Sequence, residues 1–210
     1  MIFYLQIVSF PSETEKEINV LTNLFIEILK IHIIPIGDIP KTVLRSISEG
    51  IKEVYSSILE GMEVEQRVEP PSETYDPRRE QYRAEVILQY LSSEFASKEG
   101  KVLAITSEDL YAKGLNFIFG QAQKHGKFAL ISLHRLRPEF WGDEKKRDLF
   151  LDRAVKEAIH ELGHSFGLEH CENMRCVMTF SNRIEHTDRK KAEFCEECKE
   201  KLETILAEEV

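Results

Sequence analysis

The run His160-Glu161-Leu162-Gly163-His164-Ser165-Phe166-Gly167-Leu168-Glu169-His170 carries the residue types and spacing that metal chemistry needs. Wound as an α-helix, His160 and His164 project from one face roughly 40° apart. Two imidazoles one turn apart can share a metal ion. Glu161 lies roughly 80° around the helix from their mean direction, placed to reach a water at the ion rather than the ion itself. Gly167 can adopt the positive φ that ends a helix sharply, which lets the chain turn back and bring His170 beneath the metal as a third nitrogen ligand. Three neutral nitrogens leave a fourth position open, as in a catalytic zinc site rather than a structural one. A histidine pair flanking a glutamate also arises by chance on helices, so the pair alone does not decide the matter.

All four cysteines follow at once, as Cys171 and Cys176 and then Cys195 and Cys198. In a reducing compartment such spacings belong more often to zinc ligands than to disulfides. Two disulfides stay open as an alternative, because spacing does not fix the chemistry. A thioredoxin-like role for Cys195-Glu196-Glu197-Cys198 is disfavoured, since two carboxylates oppose a low-pKa thiolate and no βαβ unit surrounds the pair. The favoured reading is a closed, structural four-thiolate zinc.

Other elements must position these groups. Leu151, Val155, Ala158, Leu162 and Phe166 fall on the side of the helix opposite the histidines, giving it a core face and a metal face. The helix is expected to begin near Lys145 to Asp148, with Asp148 favourable at its N-terminus. Upstream, Met1 to Phe10 reads as a buried first strand. A helix follows from Pro11 through Ile18, Leu21, Leu24, Phe25 and Ile28, with Ser12 and Glu15 at the spacing of a capping box. Ile31 to Ile36 is the second strand, Thr42 to Ile58 a helix weakened at Gly50, and Met62 to Val68 a third strand. The prolines of residues 69–77 mark a loop. A long amphipathic helix is expected from Arg78 through Val86, Leu88, Leu91 and Phe95; the basic pair Arg78-Arg79 could bind something, but a solvated helix start is the plainer reading. Lys101 to Thr106 is a buried strand; Phe117 to Ala122 and Phe128 to Leu133 are strands joined around His125-Gly126. From about Lys190 a tail helix places Cys195 and Cys198 in its first turn. This order predicts an α/β (α+β) fold, a mixed and mostly parallel twisted sheet with helices packed on it.

The histidine run, continued by Cys171, Cys176, Met178, Cys195 and Cys198, resembles the archaemetzincin family of the metzincin clan of zinc metallopeptidases. The likeness extends through Asp109-Leu110-Tyr111, Leu115-Asn116-Phe117-Ile118-Phe119-Gly120 and Leu130-Ile131-Ser132-Leu133, and is loose over the first hundred residues. It implies a single metzincin-like catalytic domain over 1–210, with an upper subdomain about 1–167 and a lower one about 168–210 held by the structural zinc. It also implies an antiparallel edge strand above the metal, here Asn116 to Gln121, able to pair with an extended peptide. His160, His164 and His170 would hold a catalytic zinc, Glu161 would be the general base, and Cys171, Cys176, Cys195 and Cys198 would hold the second zinc. Met178 would lie in the turn beneath the metal without binding it; an ordinary core methionine is the plainer reading of the same residue.

Several metzincins place a tyrosine soon after that turn, but no tyrosine follows Tyr111 here and Phe180 stands next instead. His134, Arg183 and His186 are candidates to assist the oxyanion in its place, each more simply read as a surface or satisfied side chain; His32 and His125 receive no role. The resemblance implies peptide-bond hydrolysis, with an aminopeptidase-like habit on short peptides. The alternative is a zinc-bound peptide-binding or regulatory protein that turns over little or nothing.

Composition bounds the partners. At 210 residues, with 42% hydrophobic and 31% charged content, the chain can bury a full core. A formal charge of −9 argues against nucleic acid or an anionic membrane surface as partner; a peptide or protein substrate is what the family resemblance implies. No stretch has the length to span a bilayer. The apolar N-terminus lacks a basic lead and a small-residue cleavage site, so a cytoplasmic monomer starting at Met1, without a latency pro-segment, is expected.

Overall fold

The computed structural model describes residues 29–208; the strand expected at Met1 to Phe10 and the helix after Pro11 lie outside them. In chain order the elements are β1 (Leu29–Ile36), α1 (Lys41–Val54), β2 (Leu59–Val64), β3 (Tyr75–Asp76), β4 (Gln81–Arg83), α2 (Ala84–Glu94), β5 (Lys101–Thr106), β6 (Leu110–Tyr111), β7 (Gly120–Ala122), β8 (Phe128–Ser132), α3 (Arg147–Phe166), α4 (Ile184–Arg189) and α5 (Glu196–Glu208). The main sheet has the order β2-β1-β5-β8-β7. Its strands are parallel except β7, which runs antiparallel to β8 at the edge.

Helices cover both faces of this sheet. Side chains alternate along a strand. Ile31, Ile33, Leu103, Ile105, Ala129 and Ile131 therefore face a core closed by Ile47 and Ile51 of α1 and by Ala154, Ala158 and Leu162 of α3. Ile34, Ile36, Val102, Ala104, Phe128 and Leu130 face a second core closed by Ile87, Leu88 and Leu91 of α2. Burial on both sides is why these strands read as unbroken apolar runs rather than as an alternation. α1 crosses α3 at Gly50, where a Cβ would run into the Val155 side chain. The glycine that weakens the helix by propensity is thus a point of close approach that a side chain would block.

Several boundaries differ from the sequence reading. α1 stops at Val54, capped by the Tyr55 amide on the Ile51 carbonyl, because the chain must turn to bring Leu59 beside Leu29. The third strand is Leu59–Val64, and Val68 makes only an isolated bridge to Ile36. The helix expected from Arg78 begins at Ala84, since Gln81–Arg83 is drawn into a small second sheet of order β3-β4-β6. There the Tyr82 amide donates to the Asp109 carbonyl, and Gln81 Nε2 donates to Asp109 Oδ2 at 2.8 Å. Arg79 is not a solvated helix start: its Nη2 donates to the Leu115 and Asn116 carbonyls and its guanidinium lies 4.3 Å from the Tyr111 ring centroid. The tail helix begins at Glu196, not near Lys190. The segment before it is pinned by the Lys191 amide to the Arg175 carbonyl and by the Val177 amide to the Glu193 carbonyl. Among the described residues no helix is long and apolar enough to cross a membrane.

Candidate metal centre

The core face of α3 holds its metal face in place. Ala158, Leu162 and Phe166 are fully or nearly fully buried, and the helix ends at Gly167 with φ 105°. The Gly167 amide donates to the His164 carbonyl and the Leu168 amide to the Gly163 carbonyl, closing the last turn. The His125 ring packs where a Cβ on residue 167 would stand, so position 167 needs glycine for space as well as for φ. The reversed chain then brings His170 back to the two helix histidines.

His160 Nδ1–H donates to the Val177 carbonyl at 2.8 Å and His164 Nδ1–H to the Leu168 carbonyl at 2.7 Å. Since a carbonyl can only accept, both rings carry their lone pair on Nε2. His164 Nε2 lies 3.1 Å from His160 Nε2 and 3.2 Å from His170 Nε2. Nitrogens about 2.05 Å from a tetrahedral zinc stand about 3.3 Å apart, close to both distances from His164, and all three ligand nitrogens lie within 4.8 Å of one another, so the donor set fits such an ion. Burial lowers the pKa of all three, His160 most, with Lys190 adding to the effect. Neutral imidazole is the form a metal requires.

Glu161 lies under the edge strand, where a Cβ on Gly120 would come within 2.6 Å of its Cγ and 2.7 Å of its Oε1. Burial pushes its carboxyl well above the usual carboxylate range, and neighbouring Glu157 adds to the rise while Lys190 opposes it. The antiparallel strand expected at Asn116 to Gln121 is Gly120–Ala122, and the segment before it holds an isolated bridge between Ile118 and Leu110. Between this edge and the histidines runs a cleft of about 560 Å³. Met178 is fully buried, and its Sδ packs against Gly163, where a Cβ would meet it at 2.5 Å.

The cysteines form a second cluster. Their four Sγ atoms lie within 4.8 Å of one another, unbonded, with Cys171 and Cys195 3.7 Å apart. Thiolates about 2.3 Å from a tetrahedral zinc stand about 3.8 Å apart, so this donor set fits a closed site. Burial pushes the Cys176 and Cys198 thiols up. Burial also acts on Cys195, but the Cys198 amide and the surrounding thiols pull that thiol below its ordinary value. Cys195 caps α5 through its carbonyl, which accepts from Lys199.

The other histidines and Arg183 stand outside the cleft. His134 packs against Phe140, and His32 Nδ1 meets Glu65 at 2.7 Å. Arg183 is exposed at the start of α4 and His186 lies within that helix. Four polar residues absent from the sequence reading line the cleft instead: Lys124, Glu157, Ser181 and Asn182. Ser181 Oγ is buried without a hydrogen-bond partner. Ser181 and Asn182 directly follow Phe180, whose ring lies 4.9 Å from that of His170, and that adjacency was their only signal.

A mostly parallel sheet with one antiparallel edge strand above a His-Glu helix, and a third histidine returned beneath it, defines a zinc metallopeptidase of the metzincin kind. The model of peptidase family M54 matches residues 18–204. An archaemetzincin from Pyrococcus furiosus is 47% identical over 179 residues, covering 83% of this chain and 92% of the relative. The crystal structure of archaemetzincin from Methanopyrus kandleri superposes with a TM-score of 0.73 at 38% identity, covering 85% of this chain and 96% of that one. A zinc-dependent peptidase from Methanocorpusculum labreanum gives a TM-score of 0.70 at 32% identity, covering 82% and 99%. The chain belongs to peptidase family M54, the archaemetzincins.

Proposed function

We propose that this chain hydrolyses peptide bonds, with His160, His164 and His170 holding a catalytic zinc, Glu161 acting as general base, and Cys171, Cys176, Cys195 and Cys198 holding a second, structural zinc. The observation that carries this reading is the convergence of three Nε2 lone pairs beside the buried Glu161 carboxylate. Zinc, when bound, supplies a Lewis acid that polarises the scissile carbonyl and lowers the pKa of its water towards about 7.

The chain's own residues do the rest. The edge strand offers main-chain groups to an extended peptide. Glu161 accepts the proton of the attacking water and passes it to the departing amine. Without a downstream tyrosine, Ser181 Oγ, an unpartnered hydroxyl on the cleft wall, is the best-supported donor to the oxyanion. Residues about 1–167 form the upper subdomain in this reading and about 168–210 the lower, with Met178 as their packing contact beneath the site. Short peptides, cleaved in an aminopeptidase-like manner, are the proposed substrates, and four thiols held for a metal suit a reducing cytoplasm. A monomer suffices, since every group invoked lies on one chain.

Phe180, 55% exposed where a tyrosine is common in the clan, favours a second reading, a zinc-bound peptide binder of little turnover. A peptide-library digest with metal-replete protein separates the two, with Glu161→Gln as control. That substitution should keep zinc content near wild type and reduce hydrolysis by about a hundredfold to ten-thousandfold. Full activity in Glu161→Gln refutes the mechanism. Zinc binding without cleavage by wild type favours the peptide binder.

A further inference from the structure

Glu157 has no part in the hydrolysis described above, yet it lies on the wall of the same cleft. It sits on α3 one turn before Glu161 and is only 4% exposed. Its Oε2 is buried without a hydrogen-bond partner. The nearest cation is Lys190 Nζ at 3.9 Å, beyond hydrogen-bond reach, and it too makes no hydrogen bond. Lys190 does not line the cleft, so the carboxylate is the end of this pair that a ligand meets. Burying a carboxylate that makes no hydrogen bond to its one cation is costly. Oε2 faces Lys190 at 3.9 Å, so the charge is only partly neutralised from the interior, and the cleft side of the group is where a further cation can complete it.

The surroundings say what that cation is. Leu115, Phe117, Phe119 and Phe180 line the cleft with apolar surface. Glu157 and Glu161 share one buried ammonium, Lys190, while Lys124 on the cleft wall is already paired with Glu169. With Glu161 committed to the attacking water, no side-chain cation of the cleft among the described residues is left to neutralise Glu157 from the ligand side. Residues four apart on a helix stand about 5–6 Å apart at Cβ, which sets the acceptor within one substrate residue of the general base. The geometry points to Glu157 as a specificity-determining residue: it accepts a substrate cation carried on an apolar stem, next to the scissile bond. That cation is either the side-chain head group of a lysine or arginine, or the free α-ammonium of a peptide. This inference rests on the peptidase reading for the identity of its ligand and on Glu157 for its selectivity.

The test uses zinc-loaded Glu161→Gln protein titrated by fluorescence anisotropy with matched peptides carrying lysine or norleucine, which share a stem and differ in charge. Each peptide is made with a free and an acetylated N-terminus, and wild type digests a peptide library in parallel. One cationic position should bind about tenfold or more tighter than its uncharged match. Loss on lysine-to-norleucine exchange assigns the side chain, and loss on acetylation assigns the α-ammonium. Adding Glu157→Gln should abolish the preference, whereas Lys190→Met, which removes the competing ammonium, should increase it. A merely structural pair does not give opposite signs. Equal binding of cationic and uncharged peptides, no binding of either, or a preference that survives Glu157→Gln overturns the proposal. If Glu157→Gln fails to fold, the lysine–norleucine comparison and Lys190→Met still decide it. Cleavage without cationic bias sinks this inference alone; charge-selective binding without cleavage sinks the peptidase reading alone.

Discussion

Gly120→Ala is the sharpest test of how the edge strand and the general base fit together. The new methyl group would stand 2.6 Å from Glu161 Cγ, 2.7 Å from Oε1 and 2.8 Å from Cδ. Ordinary carbon contacts begin near 3.4 Å, so the Glu161 side chain must retreat by about 0.8 Å, the difference between 3.4 and 2.6. Glu161 is a flexible side chain on a rigid helix, which makes it the partner that yields rather than the strand. A misplacement near 1 Å at a reacting group costs on the order of a hundredfold, and kcat should fall by that amount. The three histidines are untouched, so zinc content should equal wild type. The methyl overpacks a buried side chain and should cost about 1–3 kcal/mol, at a few degrees in Tm per kcal/mol for a chain of this size, with the chain still folded. Peptide hydrolysis, metal analysis and calorimetry on one preparation read all three quantities. Undiminished kcat refutes the placement of Glu161 under Gly120, and loss of zinc refutes the separation of base from ligands.

Protein purified under reducing conditions should carry two zinc ions per chain by metal analysis, and Cys198→Ser should reduce this to about one while lowering Tm, because closed thiolate sites contribute folding free energy directly. Gly163→Ala drives a methyl into Met178 Sδ and should destabilise by about 1–3 kcal/mol in denaturant titration, as overpacking does. Glu65→Gln should cost about 1 kcal/mol at neutral pH by the same assay. The Lys98 ammonium, with help from His32, holds Glu65 below the usual carboxylate range. Its folded pKa is therefore below the unfolded value of about 4.3. The contribution is fully present above that value and lost as pH falls through the folded pKa, so wild type and variant should converge in acid.

The part of the site legible in the sequence was the part set by local spacing. His160, Glu161, His164 and Gly167 follow from helix geometry, and Ile31, Leu103 and Leu130 read as buried strand residues from their apolar runs alone. Positions whose meaning depends on distant partners were not legible. Arg79 looked like a solvated helix start because nothing nearby shows that it grips carbonyls at Leu115 and Asn116. The strands of the β3-β4-β6 sheet have two or three residues each, too few for a period, and are stabilised by the buried Gln81–Asp109–Arg135 network. Glu157 is one acid among many on an amphipathic helix until Lys190, 33 residues later, is seen buried beside it. Lys190 itself reads as the start of the tail helix.

The proposed metal sites share their support. His170 and Cys171 are adjacent, so the turn that delivers the last imidazole also delivers the first thiol. The Cys171 amide donates to the Met178 carbonyl, tying that turn to the methionine beneath the helix. Val177 lies between Cys176 and Met178; its carbonyl fixes the tautomer of His160, and its amide holds the Glu193 carbonyl in the segment leading to Cys195. Two of the three imidazoles are thus oriented by backbone that the cysteine cluster anchors. A ligand set borne on a helix alone would leave His170 on a free loop, whose ordering would oppose metal binding by the backbone entropy of each residue fixed. In the proposed reading the closed site has already ordered that loop, so the open site can keep a free position for water and still bind its metal.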